Sequence, residues 1–198
     1  MLTNFVRDCA ATIRGRSGEP GLVGARVYPT VELNEQAGLD IQSWLNAGYL
    51  DFVIPMSYTC FVVDAQMPID WIIEAAHEAD TSVYGMLQPY FGDGRRYNTK
   101  VEHATPEMMR AAAANFCQVG VDGLYTWFLD WPLGNNERRI LTDISDSEQS
   151  KEGNKHYFLR QRADEEDAFE RPKDFDGAIS IDDVELVVEY DVFPNSRG

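Results

Sequence analysis

Two carboxylates set among aromatic rings are the groups in this chain best placed to do chemistry. Asp130 lies between tryptophans in Trp127-Phe128-Leu129-Asp130-Trp131, and Glu32 lies in Tyr28-Pro29-Thr30-Val31-Glu32. A pair of carboxylates can cleave a glycosidic bond, one as acid and the other as nucleophile or base. Trp127, Trp131, Tyr58, Tyr90 and Tyr28 could supply flat apolar faces on which sugar rings pack, and Gln88 could hydrogen-bond a hydroxyl. Each group also has a plainer reading. Glu32 could be a loop acid or an acid in the first turn of a helix, and Asp130 a cap or turn acid ahead of Asn135. Aromatic side chains are mostly core, and Gln88 could be a satisfied polar residue at a strand end.

These groups share a position in the pattern. Apolar runs at 22–28, 50–56, 82–87 and 124–129 read as strands, and each runs into one of the candidate clusters. The run at 50–56 is continuously apolar after Asp51, as suits a strand covered on both faces. Helical spacing predicts helices over 3–14, 39–45, from Pro68 onward with Ile69, Ile72, Ile73 and Ala76 on one face, and over 137–144. Thr105-Pro106-Glu107 starts a further helix and Gly120 ends it: a capping hydroxyl, a proline in the first turn and an acid at the positive end. Residues 92–104 read as a polar loop carrying Arg95 and Arg96, which are solvated or could meet an anionic sugar.

Strands spaced by roughly 30–40 residues, with helices between, are βα units. In a parallel α/β barrel all strand C-termini face one rim, and that rim holds the active site. Asp51 and Asp122 begin strands, at the opposite end, and read as structural; Asp64 lies past the second strand. Four strands do not close a barrel and leave an open edge. The expected fold is therefore a partial (β/α)8 TIM barrel over 1–145, an acidic polar linker over 146–177, and the start of a β-rich accessory region over 178–198. An open four-stranded α/β sheet is the alternative.

Composition bounds the function. The chain has 198 residues, 44% of them hydrophobic, enough for one sizeable core. Its net charge of −16 argues against nucleic acid or anionic membrane as a partner. Residues 1–142 hold 17 acids against 10 bases, while 143–198 hold 16 against 7, so more than half of the excess sits in the last quarter. No apolar run approaches the ~20 residues of a membrane span. The start lacks the pattern of a signal peptide, although a longer parent protein could be secreted or periplasmic. Cys9, Cys60 and Cys117 are odd in number and widely separated, which suggests neither a disulfide framework nor a zinc site. His77, His103 and His156 are not spaced to hold a metal. No cofactor is expected.

Three stretches carry a family resemblance. Leu50-Asp51-Phe52-Val53-Ile54-Pro55-Met56-Ser57-Tyr58 resembles the VDFIxPMxY strand of glycoside-hydrolase-like (β/α)8 barrels. Val121-Asp122-Gly123-Leu124-Tyr125-Thr126-Trp127 resembles their late GxDGIxxW strand. Gly38-Leu39-Asp40-Ile41-Gln42-Ser43-Trp44-Leu45 resembles the GLDxxxW segment ahead of the first motif in bacterial members. The order and spacing are similar to those of the family called glycosyl-hydrolase-like 10. The resemblance implies the C-terminal half of a barrel and a carbohydrate substrate. The DxxDxDxE motif of family 18 chitinases is absent, and their Tyr-Asp is Tyr58-Thr59 here, which leaves chitinase-type catalysis unsupported. A barrel that binds carbohydrate without catalysis, having lost its acids, is the other outcome.

Overall fold

The computed structural model describes residues 2–15, 21–56, 63–91, 102–126, 133–145 and 153–157. Four strands, β1 (Gly24–Val27), β2 (Phe52–Pro55), β3 (Ser82–Leu87) and β6 (Gly123–Thr126), form one parallel sheet in the order β1-β2-β3-β6. A short antiparallel ladder, β4 (Tyr90–Phe91) with β5 (Glu102–His103), stands apart from it. Six helices complete the described elements: α1 (Leu2–Arg14), α2 (Val31–Gln36), α3 (Ile41–Asn46), α4 (Asp70–Glu78), α5 (Pro106–Val119) and α6 (Asn135–Ile144).

Side chains alternate across a strand, so each sheet face collects every second residue. One face packs Val27, Val53, Val83 and Leu87 into a continuous core with Trp44 and Leu45 of α3, Ile72 and Ile73 of α4, Met109 and Phe116 of α5, and Ile140 of α6. The other face carries a separate apolar cluster to which no helix contributes: Ile54, Met86 and Met56 just past β2, with Phe52 and Tyr84 against them. The described helices thus feed one face only. On the second face Phe52 and Tyr84 meet edge to face, with ring centroids 5.6 Å apart. Glycines flank them: a Cβ on Gly24 would lie 2.1 Å from the Phe52 ring, and one on Gly123 would lie 2.8 Å from Tyr84.

The caps form as their residue types dictate. Thr105 accepts the Met108 N–H at 3.3 Å, Pro106 opens α5, and Gly120 closes it at φ 97°, a conformation glycine adopts without penalty. Thr30 caps α2 and Asp40 caps α3 in the same way. Of the two plainer readings of Glu32, loop acid or acid in the first turn of a helix, the second holds: Glu32 opens α2. One expectation needs correction. The loop expected over 92–104 includes β5 at its end, because Tyr90 and Phe91 offer His103 and Glu102 a strand to pair with. The first strand is also tighter than the expected 22–28, and β6 begins one residue ahead of the expected 124. The linker and accessory strands expected over 146–177 and 178–198 lie outside the described residues, apart from the short stretch 153–157.

Candidate functional site

Backbone polar groups emerging from a sheet must find partners. At the N-terminal edge of this sheet, side chains supply them. Asp51 accepts the Val23 N–H at 2.7 Å and pairs with Arg14 at 3.2 Å. Asp122 accepts the Val83 N–H at 2.7 Å and lies 3.1 Å from His77 Nε2. Thr81 donates its hydroxyl to the Leu50 carbonyl. Burial pushes the Asp122 carboxyl up, but the Val83 N–H and His77 together outweigh it and hold the group below its ordinary value. Asp51 and Asp122 therefore do the structural work expected of acids that begin strands.

The C-terminal edge is built differently. After β1 the chain turns through Tyr28-Pro29-Thr30, and the buried Asn34 of α2 holds that turn. Its Oδ1 accepts the Tyr28 N–H at 2.9 Å, and its Nδ2 donates to the carbonyls of Tyr28 and Thr30. Trp71, in the first turn of α4, donates its indole N–H to the Pro29 carbonyl at 2.7 Å. Glu32 sits in the first turn of α2, exposed, on the loop that these contacts fix. Its charge there meets the positive end of the helix.

After β3 the chain carries Gln88, fully buried, then Pro89 and Tyr90. Gln88 falls on the strand face of Tyr84 and Met86, the face away from the helices. The Val63 N–H donates to the Tyr90 carbonyl at 2.7 Å, and the Ala104 N–H donates to the Pro89 carbonyl at 2.8 Å. The exit of β2, the exit of β3 and the lead into α5 thus converge. The convergence places Tyr90 edge-on to His103, with centroids 5.0 Å apart, and brings in Asp64 beside Val63. Asp64 is buried at 8% exposure, and its Oδ1 accepts the Gln66 N–H at 3.0 Å.

Of the candidate residues, Glu32, Gln88 and Tyr90 are at this edge, as is Tyr28. Tyr58, Trp127, Asp130 and Trp131 lie outside the described residues; β6 is described to Thr126, which pairs with Leu87 in register. Asn34, Trp71 and His103 are the edge residues that sequence reasoning passed over as site groups. A lone Asn in a helix and a His two places before a helix cap carry no signal of their own. Chemically, the edge offers an amide, an aromatic pair and carboxylates of contrasting exposure. Among the described residues no group of three His, Cys, Asp or Glu could hold a metal ion, and no helix is long and apolar enough to cross a membrane. Compared with known proteins, the chain matches no family model and no curated sequence.

Proposed function

We propose that this chain is part of a (β/α)8 barrel of glycoside-hydrolase type, the C-terminal half of one, which acts on or binds a polysaccharide or glycan. One observation carries the reading: the parallel strands follow one another in chain order, with the described helices on one face alone. A doubly wound sheet reverses its order and takes helices on both faces. A barrel does neither, and its second face is the lumen, packed by side chains in layers. The apolar strand cluster with its aromatic and glycine rows suits such a layer. Leu22, just ahead of edge strand β1, is 72% exposed, and Tyr125 of edge strand β6 is 40% exposed, as suits edges that further strands would cover.

In this reading the C-terminal edge is the sugar-facing rim. Glu32 and Asp130 are the carboxylates, and Gln88, Tyr90, Tyr58, Trp127 and Trp131 line the subsites. The test is substitution of Glu32 and Asp130 by alanine in the longest natural form of the protein, with glycan turnover as readout. Loss of about 10²–10⁴-fold in rate is expected for a group working in acid–base catalysis. A second reading, a barrel that binds glycan without cleaving it, draws on the exposed setting of Glu32 in a capped first turn. It predicts unchanged turnover in both variants, while Tyr90→Ala still weakens oligosaccharide binding by about tenfold through the lost aromatic contact.

A further inference from the structure

Residues 153–157 lie across the first turn of α5 as a strap. Two hydrogen bonds hold it there. Arg110 Nε donates to the Asn154 carbonyl at 2.9 Å, and the His156 N–H donates to the Glu107 carbonyl at 3.1 Å. Gly153 sits so close that a Cβ on it would lie 2.8 Å from Arg110 Nε. Lys155 is half-buried, and its Nζ donates back to the Gly153 carbonyl at 3.3 Å. The strap thus folds the Lys155 ammonium toward the buried guanidinium of Arg110.

The neighbouring charges are already engaged. Glu107 of α5 and Asp143 of α6 both face guanidiniums, those of Arg110 and Arg139. On the strap itself, His156 and Tyr157 are exposed. Burial and the Arg110 charge hold Lys155 below the usual lysine range. A lysine desolvated beside another cation keeps more free amine near neutral pH and is the better nucleophile for it. We propose that Lys155 is a modification site, its ε-amine taking an acyl group from a small acyl phosphate. The amine lone pair forms the C–N bond as the acyl C–O bond breaks. Phosphate leaves with that electron pair, and the surplus proton goes to solvent. The product is a neutral amide beside Arg110, which ends the repulsion between the two cations. The proposal is independent of the glycan reading, because it uses none of the groups assigned to the rim.

The test treats the full chain with acetyl phosphate and reads initial acetylation rates at each lysine by peptide mass spectrometry. Lys100, Lys151 and Lys173 serve as the internal comparison. Near neutral pH, Lys155 is expected to label about threefold faster than any of them, because the free amine gained outweighs the nucleophilicity lost with basicity. At about pH 10.5 ordinary lysines are themselves near half free amine, and the lead should vanish. Arg110→Gln removes the neighbouring cation and should bring the neutral-pH rate of Lys155 down toward that of the other three. Labelling of Lys155 no faster than the others near neutral pH would overturn the proposal. So would a lead that persists at the higher pH in the unaltered chain, or one that Arg110→Gln leaves unchanged.

Discussion

Asp122 is a single residue with two partners on two elements, the Val83 backbone of β3 and the His77 ring of α4. Its carboxyl is depressed in the folded chain. A depressed carboxyl contributes stability above its unfolded pKa and loses that contribution as pH falls through the folded value. The expected outcome is a chain that loses denaturation midpoint between neutral pH and pH 3, most steeply below about pH 4. Asp122→Asn should be less stable at pH 7 and should lose less on acidification. Urea melts of both chains at the two pH values check this; parallel losses would deny Asp122 the role. Asn34 illustrates the same scale at the other edge. Three hydrogen bonds from one buried amide shape the β1 exit, yet nothing in Val31-Glu32-Leu33-Asn34 marks that residue apart from its neighbours.

At the scale of elements, α5 lies so close to β3 that a Cβ on Gly85 would sit 2.7 Å from the Phe116 ring. Phe116 is 1% exposed and has little room to retreat. Gly85→Ala should therefore destabilise the chain by about 1–3 kcal/mol, the usual cost of overpacking a core. Thermal unfolding measures it, and partial rescue by Phe116→Leu would tie the loss to this contact. Strong local signals made β3 and α5 legible in the sequence: β3 spans 82–87 as expected, and α5 starts and stops at its cap residues. Weak local signals hid α2 and β5. Six residues of α2 cannot show a helical period, and its stability comes from the Thr30 cap and Leu33 in the core rather than from propensity. β5 has two residues and exists because β4 is beside it.

At the scale of the whole molecule, Arg110 joins elements distant in sequence. It is 4% exposed, pairs with Glu107 at 3.0 Å and with Asp143 of α6, and donates to the Asn154 carbonyl at 2.9 Å. Arg110→Met should cost about 1–3 kcal/mol, since the Asn154 carbonyl loses its donor while the partly exposed Glu107 and Asp143 keep Arg139 as a partner. It should also raise amide exchange across α6 more than across α4, which hydrogen-exchange mass spectrometry would resolve; equal exchange in both would refute the tie. The sequence by itself determined the parts decided by near neighbours: apolar runs as strands, threonine and glycine as helix ends, acids at strand starts as structural groups. Only the tertiary structure decided which parts meet. The pairings of Trp71 with Pro29, His77 with Asp122, Val63 with Tyr90 and Arg110 with Asp143 depend on strand order and on where each crossover returns to the sheet. Those are properties of the assembled chain, because each contact forms only after elements on both sides of it have packed.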